Sequence, residues 1–161
     1  MGKYEWLLFL HVTGAFLFLG ANVVAVVLTV ATQLRERPSE IAFLLRVLSF
    51  KAFQLAAGLG LLIVLGFGLW LVDDAGYSYG DGWIVAALVL FVLSNALGGI
   101  GGSRGKPIRA LAERLAAEGD RESGELTAML RDPVLMFLNY GASVLAFGVL
   151  VLMIWKPGAG G

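Results

Sequence analysis

The chain contains a single histidine, His11, and it lies inside the apolar run Phe9–Val30, FLHVTGAFLFLGANVVAVVLTV. An ionisable group in hydrocarbon costs free energy, so it is by default either functional or satisfied by a neighbour. Hydrolytic chemistry has little to draw on, because no Asp or Glu lies inside an apolar run to orient the imidazole. Glu5, Asp73, Asp74 and Asp81 all stand at the ends of such runs. The absence of cysteine removes disulfides, thiolate metal sites and cysteine nucleophiles, and a structural zinc site lacks enough ligands. Axial ligation of haem b needs only a neutral imidazole in an apolar slot. A thioether opposite it raises the potential and favours electron transfer over oxygen binding. Met153, near the end of the last apolar run, stands at a depth similar to that of His11. Gly14 and Ala15, one turn on from His11, leave room for a flat ligand. The alternative is a hydrogen-bonded, structural histidine.

Four amides form a second group. Asn22, Gln54, Asn95 and Asn139 come from four different apolar runs, each in the half nearer the basic loops. Helical periodicity puts Asn22 on the stripe of His11, Gly14, Ala15 and Phe18, and Asn139 on that of Ala142, Ala146 and Met153. Small residues admit close helix approach and amides bond across helices in lipid, so a shared buried polar network is expected. Such a network is either structural or the lining of a polar pocket for a ligand or proton.

The elements that must position these groups follow from composition. Hydrophobic residues make up 58% of the 161, against roughly 45–50% in soluble domains. Four stretches, Trp6–Ala31, Ala52–Val72, Trp83–Ile100 and Val134–Trp155, are long enough to cross ~30 Å of hydrocarbon. The first is too long for a signal-peptide core and is read as a retained helix. The expected fold is all-α, a single integral membrane four-helix up-and-down bundle.

Ten of the twelve basic residues lie between the first and second spans or between the third and fourth. The positive-inside rule therefore predicts both termini outside and both long loops in the cytoplasm. The formal charge is zero and no basic excess points to nucleic acid. Tyr4, Trp6, Trp70, Trp83 and Trp155 mark the outer boundary as an aromatic belt. A helix is expected to start near Pro38–Glu40 and run unbroken through the second span. The stretch GGIGGSRGKP, Gly98–Pro107, fails the phosphate-loop spacing and reads as the frayed end of the third helix. Segment 107–130 then begins with Pro107 and carries Ile108, Leu111, Ala112 and Leu115 on one face. It suits either an amphipathic helix at the cytoplasmic interface or a solvated connector.

The opening WLLFLHVTGAFLFLGANVVAVVL, with His11, Gly14, Ala15 and Gly20, resembles the first helix of a poorly characterised bacterial family of predicted four-span integral membrane proteins. It is similar, more loosely, to the membrane domain of copper-resistance D proteins and to four-helix, haem-b-containing protoporphyrinogen oxidases. The first resemblance implies a bacterial inner membrane, and the last implies a haem ligand at His11. The third and fourth spans hold no Lys or Arg, which argues against the oxidase activity, and one His with four Met is a thin copper-binding set.

A small b-type haem protein in electron transfer or haem handling is thus the expected function. The rivals are a non-catalytic accessory subunit in a larger membrane complex and a small-solute transporter using the amides. In a homodimer a second His11 could replace Met153 as ligand.

Overall fold

The computed structural model describes residues 2–158 and contains six helices and no strand among them. In chain order they are α1 (Lys3–Gln33), α2 (Pro38–Leu48), α3 (Lys51–Asp74), α4 (Gly82–Ala117), α5 (Gly124–Leu130) and α6 (Pro133–Trp155). Each of the four apolar stretches lies within one of α1, α3, α4 and α6, and four helical segments are long and apolar enough to cross a membrane. In lipid every backbone polar group must be paired internally, so an apolar run of this length has helix as its only solitary solution.

Local signals set the helix ends. Pro38 and Pro133 occupy first-turn positions, where a missing N–H costs nothing. Asp132 caps α6, its carboxylate accepting from the amides of Val134 at 2.7 Å and Leu135 at 3.1 Å. The cap of α2 comes from far along the chain: Asp120 accepts from the Ser39 amide and hydroxyl, both at 2.7 Å. At the other end of the bundle α6 stops at Lys156, which takes the left-handed conformation (φ 41°, ψ 59°) just before Pro157.

The second span does not continue an unbroken helix from Pro38. The helix is interrupted at Ser49–Phe50: the Ser49 hydroxyl turns back to the Leu45 carbonyl, and Phe50 is extended, with ψ 127°. The helix of the third span, α4, conversely does not fray at its glycines. It runs for 36 residues through Gly98–Gly105 and Pro107, about 54 Å at 1.5 Å per residue. That exceeds the hydrocarbon thickness by roughly 20 Å. The added length is secured by packing. Ile108 and Ala112 are buried with Ile41 and Ala42 of α2 and with Leu126, Leu130 and Leu135. Segment 107–117 is therefore neither a separate interfacial helix nor a solvated connector, since its apolar face is covered by protein.

The bundle is built as two tight pairs, α1 with α3 and α4 with α6. Gly14 and Gly60 bring the first pair together. A Cβ on Gly60 would lie 2.8 Å from the Phe18 amide nitrogen and 2.9 Å from the Leu17 Cβ. The second pair is tied by Ser94, whose buried hydroxyl donates to the Ala142 carbonyl at 2.7 Å. The pairs are joined mainly at the basic end, through α2 against α1 and α4 and through Gln33. The Gln33 side chain accepts from the Tyr140 hydroxyl at 2.8 Å and donates to the Leu130 carbonyl at 3.3 Å. Toward the chain termini the pairs separate.

Candidate functional site

The gap between the pairs is a cavity of about 370 Å³, within the ~300–1,000 Å³ typical of small-molecule sites. Its walls come from α1, α3, α4 and α6, and they are almost wholly apolar. It extends along α1 from Tyr4 to Leu19, about 22 Å by helical rise. Phe18 and Phe91 meet across the gap near its inner end, their ring centres 5.4 Å apart. His11, Ala15 and Met153 all line it, so three of the residues singled out for haem ligation share one space.

His11 is held firmly on one side. Its Nδ1 lies 2.8 Å from the Val64 carbonyl oxygen of α3. A carbonyl can only accept, so Nδ1 carries the proton and Nε2 keeps its lone pair. Room for the ring is made by Gly68, one turn along α3, where a Cβ would lie 2.9 Å from both Cε1 and Nδ1 of the imidazole. A metal-binding histidine usually donates its second N–H to a carbonyl or carboxylate in this way, which fixes the tautomer. Helical periodicity puts Gly68 on an inward stripe but gives it no role beside His11. Its signal was a small residue on the inward stripe of the second span at the depth of His11.

Gly14 is not part of the cavity. It is buried against the backbone of Ile63 and Val64, where it sets the α1–α3 spacing and leaves no room for a ligand. The four amides do not converge. Asn95 donates to the Phe91 carbonyl of its own helix at 2.7 Å, and Gln54 is exposed. Asn139 lies against Gly101, and half-buried Asn22 shares no hydrogen bond with the other three. Polar ties between the spanning helices run instead through His11 to Val64, Ser94 to Ala142 and Gln33 to Tyr140.

Trp83 departs from the expected aromatic belt. Tyr4, Trp6, Trp70 and Trp155 are exposed, whereas Trp83 is only 5% exposed and borders the cavity. It meets Tyr77 edge to face at 5.3 Å, and its indole N–H has no acceptor. Lys156 lies over both rings, 5.1 Å from the Tyr77 centre and 5.6 Å from that of Trp83, and also lines the cavity.

No group of three or more His, Cys, Asp or Glu side chains able to hold a metal is present among the described residues. The donor set suits a haem iron, which takes its other ligands from the macrocycle. An imidazole with a free Nε2, a thioether, apolar walls and a cation in the lining are all present.

Four long apolar helices enclosing a ligand-sized cavity define an α-helical integral membrane protein. The chain belongs to the family described as predicted integral membrane protein (DUF2269), which matches residues 5–157. No curated protein and no solved structure matches it. The looser likeness to copper-resistance D proteins and haem-b oxidases has no counterpart among these findings.

Proposed function

We propose that the protein is a small b-type haem-binding membrane protein acting in electron transfer or haem handling. The observation that carries this is the His11 imidazole, pinned by Nδ1 to the Val64 carbonyl and lining the same cavity as Met153. His11 through Nε2 and Met153 through its thioether would hold the iron. Haem, when bound, supplies a one-electron couple whose potential a thioether raises. The hydrogen bond to the Val64 carbonyl keeps the imidazole oriented. The test is the reduced-minus-oxidised spectrum of protein made with haem available. Soret and α bands are expected in the native chain and absent in His11→Ala, and Met153→Leu should lower the potential. A native protein without haem bands overturns the proposal.

The same hydrogen bond favours a second reading. By itself it satisfies His11 and ties α1 to α3, as a non-catalytic accessory subunit would require, and co-purification with a larger complex at fixed stoichiometry would support it. The transporter alternative depended on an amide cluster, and the amides do not converge. For orientation we propose both termini outside the cytoplasm of a bacterial inner membrane, from the placement of ten of twelve basic residues. Reporter fusions at Gly161 and within 118–124 test this, and a cytoplasmic C-terminus overturns it.

A further inference from the structure

Among the described residues Lys156 is the one Lys or Arg that lines the apolar cavity. Its backbone is left-handed, a conformation that ordinarily favours glycine, and the half-buried side chain lies over the rings of Tyr77 and Trp83. Its ammonium donates to the Tyr77 hydroxyl at 3.4 Å, and no carboxylate among the described residues pairs with it. Acidic groups at this end have other engagements. Asp74 pairs with Lys3, Glu5 accepts from the Gly2 amide and Asp81 accepts from the Ser78 amide. Beside Lys156 the buried Trp83 N–H also lacks an acceptor. A cation thus lines an apolar cavity with no full negative charge among the described residues to answer it. Aromatic faces and one phenol oxygen are a weak substitute for an anion.

We infer that the cavity takes an amphipathic anion, whose large apolar body lies between the helix pairs and whose carboxylate or phosphate sits on Lys156. The inference builds on the cavity being a ligand site, and it names the chemistry of the ligand. Haem b belongs to this class, as an apolar macrocycle with carboxylates along one edge. A fatty acid and an anionic phospholipid share the same chemistry.

The test separates the anion from the iron. Protein in non-ionic detergent is titrated with metal-free protoporphyrin IX, with its dimethyl ester, and with a fluorescent fatty acid, following quenching of tryptophan emission or probe anisotropy. The native chain is expected to bind the free acids roughly tenfold or more tightly than the ester. Lys156→Gln should lose that preference and Lys156→Arg should keep it, with unchanged helical circular dichroism as the control for folding. His11→Ala should still bind the metal-free acid, since no iron is involved. If the native chain shows no haem bands yet binds the porphyrin or the fatty acid through Lys156, haem ligation falls and the amphipathic-anion site stands. If haem binds but Lys156→Gln binds it as the native chain does, the anion inference falls and the haem proposal stands. Equal binding of acid and ester, or no binding of either porphyrin or of the fatty acid, overturns the inference. Exchange of the detergent for phosphatidylglycerol nanodiscs distinguishes the sources. A lipid occupant would compete with the porphyrin in native protein and not in Lys156→Gln.

Discussion

Replacing Gly68 by alanine puts a methyl group where the His11 imidazole lies. The new Cβ would stand 2.9 Å from Cε1 and Nδ1 of the ring, against an optimum of ~3.5–4.0 Å between non-bonded carbons. The ring must therefore retreat by roughly 0.5–1 Å, or the α1–α3 pair must part by as much. Moving the ring stretches the 2.8 Å contact with the Val64 carbonyl beyond the ~3.2 Å limit of a good N–H···O bond. Overpacking costs about 1–3 kcal/mol, and a lost hydrogen bond about 0.5–1.5 kcal/mol. Removing a helical glycine returns about 0.4–1 kcal/mol. The net expectation is destabilisation of about 1–3 kcal/mol. Gly66→Ala, on the same helix with nothing within 4 Å of its Cβ position, serves as the control. Unfolding in mixed micelles, followed by circular dichroism, reads the stability difference. A haem titration should show a loss of affinity on the order of 10- to 100-fold, as when a metal-binding histidine loses its orienting partner. If Gly68→Ala is as stable as Gly66→Ala and binds haem equally, Gly68 does not position His11 and the site geometry is wrong.

Three further outcomes are expected. Gly14→Ala places a Cβ against the Ile63 side chain and the Val64 amide and should destabilise by about 1–3 kcal/mol, whereas Gly20→Ala, facing open space, should be neutral or slightly stabilising in the same unfolding assay. Ser94→Ala removes the buried bond to the Ala142 carbonyl and should cost about 0.6 kcal/mol, the mean for interhelical bonds in lipid; a double-mutant cycle with Gly14→Ala should be additive, because the two sites belong to different helix pairs. The Asp120 carboxyl is held below the ordinary carboxylate range by the Ser39 hydroxyl and amide, with help from Arg37. Because its folded pKa is lowered, its contribution is complete above about pH 4 and fades as pH falls through the depressed value. Thermal midpoints measured below pH 4 should drop more steeply for the native chain than for Asp120→Asn, and equal slopes would remove Asp120 as the cap of α2.

The four spans were legible because lipid leaves an apolar run of ~20 residues little choice but helix, and those runs are intact in the chain. His11 and Met153 stood out on chemistry and depth alone, and they do line one cavity. Periodicity could not say which helices pair, because in lipid an outward apolar face and an inward one look alike. Backbone approach at Gly14 and Gly60 decides that, and it turned Gly14 from a ligand contact into a helix contact. The amides misled for a related reason. A polar side chain in a helix can be satisfied by the carbonyl one turn back, as Asn95 is by Phe91, and spacing does not distinguish that bond from one across helices. His11, Ser94, Gln33 and Tyr140 make interhelical bonds because tertiary packing places acceptors or donors within reach. The continuity of α4 through five glycines and Pro107 was equally hidden. Local propensity argues for a break there, and burial of Ile108 and Ala112 against α2 and α5 outweighs it. Apolar length alone determined that the chain crosses the membrane four times. The surroundings of the histidine — the Gly68 notch, the Val64 carbonyl and the gap between two helix pairs — exist only once the helices are packed.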